Sequence, residues 1–234
     1  MERLDKIISN QTGYSRKEVK ELVRQKRIIV NDVVVLKSDV KVDASKDVIL
    51  LDGDEILVKE YVYLMLNKPK GYVSATEDKT MPTVLELVPI EYSHRDLFPA
   101  GRLDRDTTGL MLITDDGEFA HNILSPKKHI DKKYEVTIDT YLTNEMIEGF
   151  KKGVILNDGI CHPSNLEIIN PNKGIVTLTE GRYHQIKRMF GCFNAKVIEL
   201  NRISMGNLYL PNDLKLGEVR ELTIEELNKI KKQD

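Results

Sequence analysis

The stretch Ala100-Gly101-Arg102-Leu103-Asp104-Arg105-Asp106-Thr107-Thr108-Gly109-Leu110-Met111-Leu112-Ile113-Thr114-Asp115-Asp116-Gly117 joins a polar turn to an uninterrupted apolar run. The run from Gly109 to Thr114 has the length and apolar content of a buried strand. The Asp115-Asp116-Gly117 sequence predicts a turn and the start of a helix. Asp104 is therefore predicted to lie on a tight loop aimed by a rigid strand, which suits a nucleophilic carboxylate.

The charge of the chain is distributed unevenly. The 234 residues are 41% apolar and 31% charged, which allows a substantial core in one or two domains, and the formal net charge is −2. Eight Lys/Arg and four Asp/Glu lie between Met1 and Asn31, whereas four and eight lie between Asp32 and Glu60. The net charge therefore conceals a basic segment of the kind that contacts nucleic acids.

Several protein classes are excluded by composition. Cys161 and Cys192 have no paired spacing, so a disulfide framework is not expected and a reducing compartment is. The segment Met1 to Asp5 is charged where a signal peptide needs an apolar core. The longest apolar runs have the length of strands and are too short to cross a membrane. We expect a cytoplasmic protein.

The first sixty residues are predicted to form a small separate module. Leu4, Ile7 and Ile8 have helical spacing, and Ser15 with Glu18 forms a capping box that opens a second helix. Short strands are predicted to follow at Ile28 to Val30, Val33 to Leu36 and Val48 to Leu51.

The candidate RNA-binding residues of this module lie mostly on and after the second helix. They are Arg3, Arg16, Lys17, Lys20, Arg24 and Arg27. Two helices feeding a small sheet resemble the alpha-L RNA-binding module named after a small-subunit ribosomal protein, over roughly Met1 to Lys59. The alternative is a solvated basic helix with no RNA partner.

A change of pattern near Lys59-Glu60 predicts domains at 1–59 and 60–234. Strands and helices alternate irregularly from Tyr61 onward, so we expect an α+β domain with a mixed, largely antiparallel sheet and flanking helices. The predicted strands are Tyr61 to Leu66, Gly109 to Thr114, Tyr134 to Ile138, Ile175 to Leu178, Val197 to Leu200 and Glu218 to Leu222. The predicted helices are Glu118 to Leu124, Thr143 to Lys152, Tyr183 to Phe193 and one opened by Thr223 and Glu226.

The opening stretch closely resembles the catalytic motif of the small-subunit ribosomal (RsuA-like) RNA pseudouridine synthases. The resemblance continues in the family's order through Asn67 to Gly71, the Lys132-Lys133-Tyr134 segment and the string from Glu180 to Phe190. It implies isomerisation of a uridine in small-subunit rRNA, with uridine 516 as the family's target. The reaction involves neither redox change nor net hydrolysis, so no cofactor is expected.

The resemblance also implies the catalytic residues. Asp104 is the carboxylate, and a cation is needed to orient it and to offset the cost of burying it. Position by position that cation is Lys187, with Arg188 as the second choice. Tyr134 is the candidate aromatic for stacking on the uracil, or alternatively a strand tyrosine that serves packing.

Further basic residues are candidate RNA contacts. Arg102 precedes Asp104 by two positions and is expected to reach the phosphate or help splay the nucleotide out; the alternative is an ordinary surface arginine. The remaining candidates in the catalytic domain are Lys127, Lys128, Lys132, Lys133, Arg182 and Arg188. Lys68 and Lys70 serve either structure or RNA, and the sequence does not decide between them.

Three other functions remain open. The chain is alternatively a large-subunit rRNA pseudouridine synthase, a non-catalytic RNA-binding assembly factor, or a metal-dependent nuclease. The histidines and cysteines have no zinc spacing, and convergence of Asp104, Asp106, Asp115 and Asp116 on a cation is not indicated, so no metal site is predicted. The expected partner is small-subunit rRNA or its assembly intermediate, with no membrane, and a monomer is expected because no coiled-coil pattern occurs.

Overall fold

The computed structural model describes residues 1–125 and 128–231 and divides into two compact units. The first unit contains Met1–Val62 and Val88–Asp96, and the second contains Tyr63–Leu87 and Leu97–Asp234. None of the helices formed by the described residues has the length and apolar content required to cross a lipid bilayer.

The first unit extends beyond the expected boundary at Lys59-Glu60. It ends at Val62 and also takes in Val88–Asp96. Within this segment the Arg95 guanidinium donates hydrogen bonds to the backbone carbonyls of Asn10, Lys59 and Glu60. These long-range bonds have no local sequence signal, which is why the segment was not assigned to the module.

The first unit combines two helices with short strands. The helices are α1 (Leu4–Gln11) and α2 (Arg16–Arg24), and the strands are β1 (Glu2–Arg3), β2 (Ile28–Val30), β3 (Val33–Val34), β4 (Lys41–Val42), β5 (Ile49–Leu51) and β6 (Asp54–Glu55). The capping box is present, because the Ser15 hydroxyl accepts from the Glu18 amide and the Glu18 carboxylate accepts from the Ser15 amide. Fully buried Leu4, Ile8 and Val19 join the two helices through one core.

The second unit is built around a nine-stranded sheet. Seven of its strands follow the order β13-β14-β10-β15-β9-β7-β17, while β8 pairs with β9 and β16 pairs with β15. Its strands are β7 (Tyr63–Lys68), β8 (Phe98–Pro99), β9 (Thr108–Thr114), β10 (Lys132–Ile138), β11 (Ile155–Leu156), β12 (Gly159–Ile160), β13 (Asn165–Asn170), β14 (Lys173–Leu178), β15 (Val197–Met205), β16 (Leu208–Tyr209) and β17 (Val219–Glu221). Its helices are α3 (Gly117–Leu124), α4 (Asn144–Lys152), α5 (Gln185–Gly191) and α6 (Ile224–Lys231), with 3-10 turns at Val84–Leu87 and Ile90–Tyr92, the latter in the first unit.

The expected mixed, largely antiparallel sheet is confirmed. The pairing of β15 with β9 is parallel, and the other pairings within this sheet are antiparallel. This parallel pair brings β10 and β15, from the second half of the unit, beside β9. The loop before β9 therefore lies next to residues that are distant in sequence.

Two elements differ from the sequence prediction in ways that affect the site. Helix α5 begins at Gln185 rather than at Tyr183, because His184 adopts a left-handed backbone conformation with φ 48°. Strand β15 continues to Met205, beyond the expected end at Leu200, because it pairs with both β10 and β9.

Candidate active site

Asp104 lies on the loop between β8 and β9. Gly101 and Gly109 bound this loop with φ values of 100° and 101°, which L side chains rarely adopt. A Cβ atom on Gly109 would lie 2.3 Å from the backbone oxygen of Arg202, so glycine is required for the close approach of β9 and β15. The Thr107 amide donates to the Asp104 carbonyl across the turn (3.1 Å).

Lys68 supports the Asp104 loop through hydrogen bonds to its backbone. Its fully buried ammonium donates to the carbonyls of Asp104, Arg105 and Thr107 at 3.1, 3.3 and 2.9 Å, and to that of Pro69. Burial lowers the pKa of Lys68 to about 8, against the attraction of nearby carboxylates. The structure thus resolves the open question for Lys68 in favour of a supporting role, whereas Lys70 is exposed.

Ser74 adds a second support to the loop. Its hydroxyl donates to the Leu103 carbonyl (2.8 Å) and accepts from the Leu103 amide (3.0 Å). The Gly71 amide also donates to the Arg105 carbonyl (2.8 Å). The segment after β7 and the Asp104 loop are therefore held as one rigid assembly, which suits a group that must keep its orientation during a reaction.

The Asp104 carboxylate pairs with Lys187 of α5. The Lys187 ammonium lies 3.0 Å from Oδ2 of Asp104 and 2.5 Å from Oδ1 of Asp106. Burial alone would lower the pKa of Lys187, but its bonds to the two carboxylates raise it above the ordinary value. The same ammonium holds the pKa of Asp106 low despite partial burial.

Arg188, the second choice for this pairing, is directed elsewhere. Its guanidinium forms a bidentate pair with Asp158, at 3.1 and 2.5 Å, and donates to the Tyr183 carbonyl. The two residues follow each other on α5 and so leave the helix in different directions. The structure therefore assigns the Asp104 partner to Lys187 and corrects the Arg188 alternative.

His184, which is not among the site residues predicted from the sequence, also approaches Asp104. Its Nε2 atom lies 3.4 Å from Oδ1 of Asp104, and its ring stacks on that of Tyr183 with centroids 3.9 Å apart. The left-handed backbone of His184 turns the chain into α5 and aims the ring at the loop. A non-glycine residue in this conformation at the start of a helix is an outlier of the kind that clusters at functional sites.

These groups line one cavity of about 540 Å³, which is large enough for a nucleoside. Its wall contains Asp104, Lys187 and His184, together with half-buried Tyr134 of β10 and apolar Ile186. A carboxylate, its cation and an aromatic side chain therefore meet in one recess, although they come from three separate parts of the chain. This arrangement can bind a flat heterocycle and present a carboxyl oxygen to it.

The basic residues predicted to contact RNA fall into two groups in the second unit. Arg102 and Lys128 are exposed, and half-buried Lys133 donates to the Tyr209 hydroxyl. Arg182 instead uses its guanidinium to hold Glu180 and the carbonyls of Gly159 and Ile160. Lys127 lies outside the described residues.

Lys132 requires a correction. Only 8% of this residue is exposed, and its ammonium donates to the Ile130 carbonyl. The sequence grouped it with neighbouring lysines as a surface phosphate contact, but alternate side chains of β10 point to opposite faces of the sheet. Lys132 consequently lines the cavity, whereas half-buried Lys133 lies on the opposite face of the sheet.

The basic residues of the first unit are mostly on its surface. Arg16, Lys17 and Lys20 are exposed on α2. Arg3, Arg24 and Arg27 form ion pairs with Asp5, Glu21 and Asp52 respectively. Across the described residues no group of three or more His, Cys, Asp or Glu side chains is placed to hold a metal ion.

Comparison with known proteins adds independent evidence. Residues 62–191 match the RNA pseudouridylate synthase family model, and residues 2–49 match the S4 domain model. The chain is 43% identical over 232 residues to the ribosomal small subunit pseudouridine synthase A of Yersinia pestis, covering 96% of each chain. It is 40% identical over 231 residues to the uncharacterized RNA pseudouridine synthase YtzG of Bacillus subtilis, covering 97% of each.

A solved structure agrees with these relatives. The crystal structure of a pseudouridylate synthase matches with a TM-score of 0.70 and 36% identity, over 98% of this chain and 100% of that one. The family match spans β7 to α5, and so contains Asp104, Tyr134 and Lys187. The chain therefore belongs to the RNA pseudouridylate synthase family and carries an N-terminal S4 domain.

Proposed function

We propose that this protein converts a uridine of small-subunit rRNA to pseudouridine, without a cofactor, and that Asp104 is the catalytic carboxylate. The observation that carries the proposal is the Asp104–Lys187 pair, at 3.0 Å, in the wall of a nucleoside-sized cavity that also contains Tyr134. Two of the relatives that match nearly the whole chain are named ribosomal small subunit pseudouridine synthase A, which supports the choice of RNA.

Each residue has a role that its surroundings support. Asp104 is the reacting carboxylate, Lys187 orients it and balances its charge, and Tyr134 stacks on the uracil. Stacking of this kind contributes about 1–3 kcal/mol per base. The target nucleotide must leave its base stack to reach the cavity, since its reacting atoms are otherwise covered.

The remaining assignments extend this proposal. The target is uridine 516, by resemblance to the family. The protein acts as a monomer in the cytoplasm, on free rRNA or an assembly intermediate. The exposed lysines and arginines of α2, with Arg102, Lys128 and Lys133, contact phosphates and supply affinity without reading sequence.

Pseudouridine mapping tests the proposal directly. Unmodified small-subunit rRNA and its assembly particles are treated with wild type and with Asp104→Asn, labelled with carbodiimide and read by primer extension. We expect a new stop at one uridine with wild type alone, and at least about a thousandfold slower modification by the variant with similar RNA affinity. Turnover by Asp104→Asn at the wild-type rate would refute the role of Asp104.

The same experiment separates the alternatives. A stop on large-subunit RNA alone would reassign the substrate while leaving the chemistry in place. Tight binding of both RNAs without a stop on either would favour a non-catalytic assembly factor. Loss of wild-type activity on addition of a chelator would favour a metal-dependent reaction.

A further inference from the structure

Three buried polar residues form the floor of the active-site cavity, and the roles proposed above use none of them. Arg202 is 2% exposed, Thr107 is 1% exposed and Lys132 is 8% exposed, and all three line the cavity. Buried arginine and lysine are rare in proteins unless a carboxylate or another acceptor compensates their charge. This floor therefore needs an explanation.

The sheet brings the three residues to one side. Arg202 of β15 lies directly opposite Tyr134 of β10, so the two side chains share a face. Lys132 precedes Tyr134 by two positions on the same strand and also shares that face. Thr107 ends the Asp104 loop, two residues before Gly109, which pairs with Arg202. The floor is thus continuous with both the stacking tyrosine and the catalytic loop.

The hydrogen-bonding capacity of this floor is only partly used. Arg202 donates from Nε to the Leu110 carbonyl (2.7 Å), but its buried Nη2 has no hydrogen-bond partner among the described residues. The buried Thr107 hydroxyl likewise has no partner in the part of the chain that the structure describes. Lys132 donates to the Ile130 carbonyl (3.0 Å) and carries three N–H donors. Leaving a buried donor unpaired destabilises the folded protein, and more so when the donor is charged.

Neither Arg202 nor Lys132 forms an ion pair with any residue that the structure describes. Burial first, and then the positive charge of Arg202, lower the pKa of Lys132 to about 8, against the attraction of Asp131. A site with free donors and two cations outside any ion pair of the described residues is complementary to an acceptor that carries or develops negative charge.

We propose that Arg202 and Lys132 donate hydrogen bonds to one carbonyl oxygen of the target uracil and stabilise the negative charge that the ring carries while it is detached from the sugar. This inference rests on the proposed function and adds two residues to its active site. Thr107 contributes a neutral donor to the same floor.

The charge balance of the isomerisation explains the need for such a site. The N1–C1′ bond breaks, its electron pair stays on the uracil ring, where it is delocalised over N1, O2 and O4, and the positive charge left at C1′ is balanced by the Asp104 carboxylate. A C5–C1′ bond then forms, the proton on C5 is released and N1 takes up a proton, so the composition is unchanged. Donors fixed at O2 or O4 are worth most when the ring is anionic, which lowers the barrier rather than only the ground state.

A phosphate is the permanently charged oxygen acceptor that the nucleotide offers, but the burial of the floor favours the base. A phosphate is charged throughout and would have to lose its hydration to reach residues that are more than nine-tenths buried. The uracil carbonyl is neutral on entry and becomes charged only during the reaction. The base is also the part of an extruded nucleotide that enters the pocket.

A chemical double-mutant cycle tests the proposal. Lys132→Met and Arg202→Lys are assayed with the RNA that wild type modifies, bearing uridine, 2-thiouridine or 4-thiouridine at the target. Single-turnover rates are compared because sulfur is a poorer hydrogen-bond acceptor than oxygen. We expect Lys132→Met to lower the single-turnover rate on the uridine RNA by about 100-fold. When sulfur replaces the contacted oxygen, we expect the single-turnover rate of wild type to fall as well. On that RNA the rate of Lys132→Met should be less than about 5-fold below the rate of wild type.

The controls separate catalysis from folding. Lys173→Met makes the same substitution on β14, where Lys173 pairs with Glu135, and we expect the wild-type rate on every RNA. Lys132→Arg keeps the charge and should recover most of the activity. Thermal unfolding midpoints of each variant establish that the protein is folded, and Arg202→Lys, which retains a cation, supplies a second reading if Lys132→Met is unstable.

Two outcomes would overturn the proposal. Equal losses on all three RNAs would mean that the floor is structural, because no carbonyl would be coupled to it. Weaker RNA binding with an unchanged single-turnover rate would identify a phosphate contact instead. Failure of the proposed function is a separate result, since it would leave wild type without activity on small-subunit rRNA, whereas the cycle uses whichever RNA wild type modifies.

Discussion

The Asp104 loop and helix α2 are both polar, but their residues are held in opposite ways. Buried groups surround the loop: the Lys68 ammonium donates to three of its carbonyls, and Ser74 bonds both backbone groups of Leu103. Helix α2 instead exposes Arg16, Lys17 and Lys20 around a buried apolar face. Buried hydrogen bonds therefore hold the loop, whereas these basic side chains of α2 face solvent.

This contrast matches two different tasks. A reacting carboxylate needs an orientation that is maintained to within a fraction of an ångström, and buried hydrogen bonds provide it. Phosphate contacts need positive charge near the backbone of the RNA, and exposed lysines and arginines provide that through Coulomb attraction. We expect substitutions in the loop to change the rate of the chemical step and substitutions on α2 to change affinity.

Among the substitutions that test this comparison, Lys187→Met has the largest expected effect. Removing the ammonium leaves Asp104 and Asp106 without their shared partner, and we expect a loss of about 100-fold or more in the single-turnover rate. Lys187→Arg keeps the charge and should stay within about tenfold of wild type. Equal rates for Lys187→Met and wild type at saturating RNA would contradict the assigned role.

Lys68→Met is expected to have the next largest effect. The carbonyls of Asp104, Arg105 and Thr107 lose their buried donor, so the free energy of unfolding should fall by about 1–3 kcal/mol. The single-turnover rate should fall by about tenfold or more as the loop loosens. Lys70→Met is the matched control, because Lys70 is exposed and should leave stability unchanged. An unaltered unfolding midpoint for Lys68→Met would contradict the contrast between a loop held by buried hydrogen bonds and the exposed residues of α2.

The triple variant Arg16→Gln/Lys17→Gln/Lys20→Gln tests the other side of the comparison. We expect KM to rise by about tenfold with kcat unchanged, and the slope of log affinity against log salt to fall by about 2–3. Lys37→Gln/Lys41→Gln/Lys46→Gln removes the same charge from exposed positions in the acidic half of the first unit. A similar change in salt dependence for both triples would mean that α2 has no specific role.

The last prediction concerns the pH dependence of stability. Burial holds the pKa of Lys132 at about 8, below the value of 10.5 for a free lysine, so between these pH values the unfolded chain binds more protons than the folded one. Stability should therefore rise with pH across this window, by up to about 1.4 kcal/mol per pH unit for this group. Denaturant unfolding of Lys132→Met should show a smaller rise than wild type, and an identical rise would contradict the assignment.

Local signals predicted most of the elements correctly. The capping boxes at Ser15 with Glu18 and at Thr223 with Glu226 are both present, because they depend on side chains three residues apart. The strand after Asp104 was predicted within one residue, since its apolar run reflects burial on both faces. Strand β13 was missed because it lies at the edge of the sheet and most of its residues are exposed.

The residues of the candidate site also divide into those that the sequence predicts and those that it does not. Asp104, Tyr134 and Lys187 were identified from the order of motifs, and the structure places all three in one cavity. Arg202 was not identified, because a single arginine within a strand gives no sign of its burial. Lys132 was assigned to the wrong surface, since the alternation of side chains became clear only once the start of β10 was known.

By itself the sequence determined the family resemblance, the α+β class, the acidic residue of the loop and the basic character of α2. These features depend on residue type and on spacing over a few positions. Only the tertiary structure decided that Lys187 rather than Arg188 meets Asp104, that Lys68 supports the loop, and that Arg202 and Lys132 form the floor of the cavity. The physical reason is that burial and pairing depend on which strands lie side by side, and the parallel pairing of β9 with β15 joins segments about ninety residues apart.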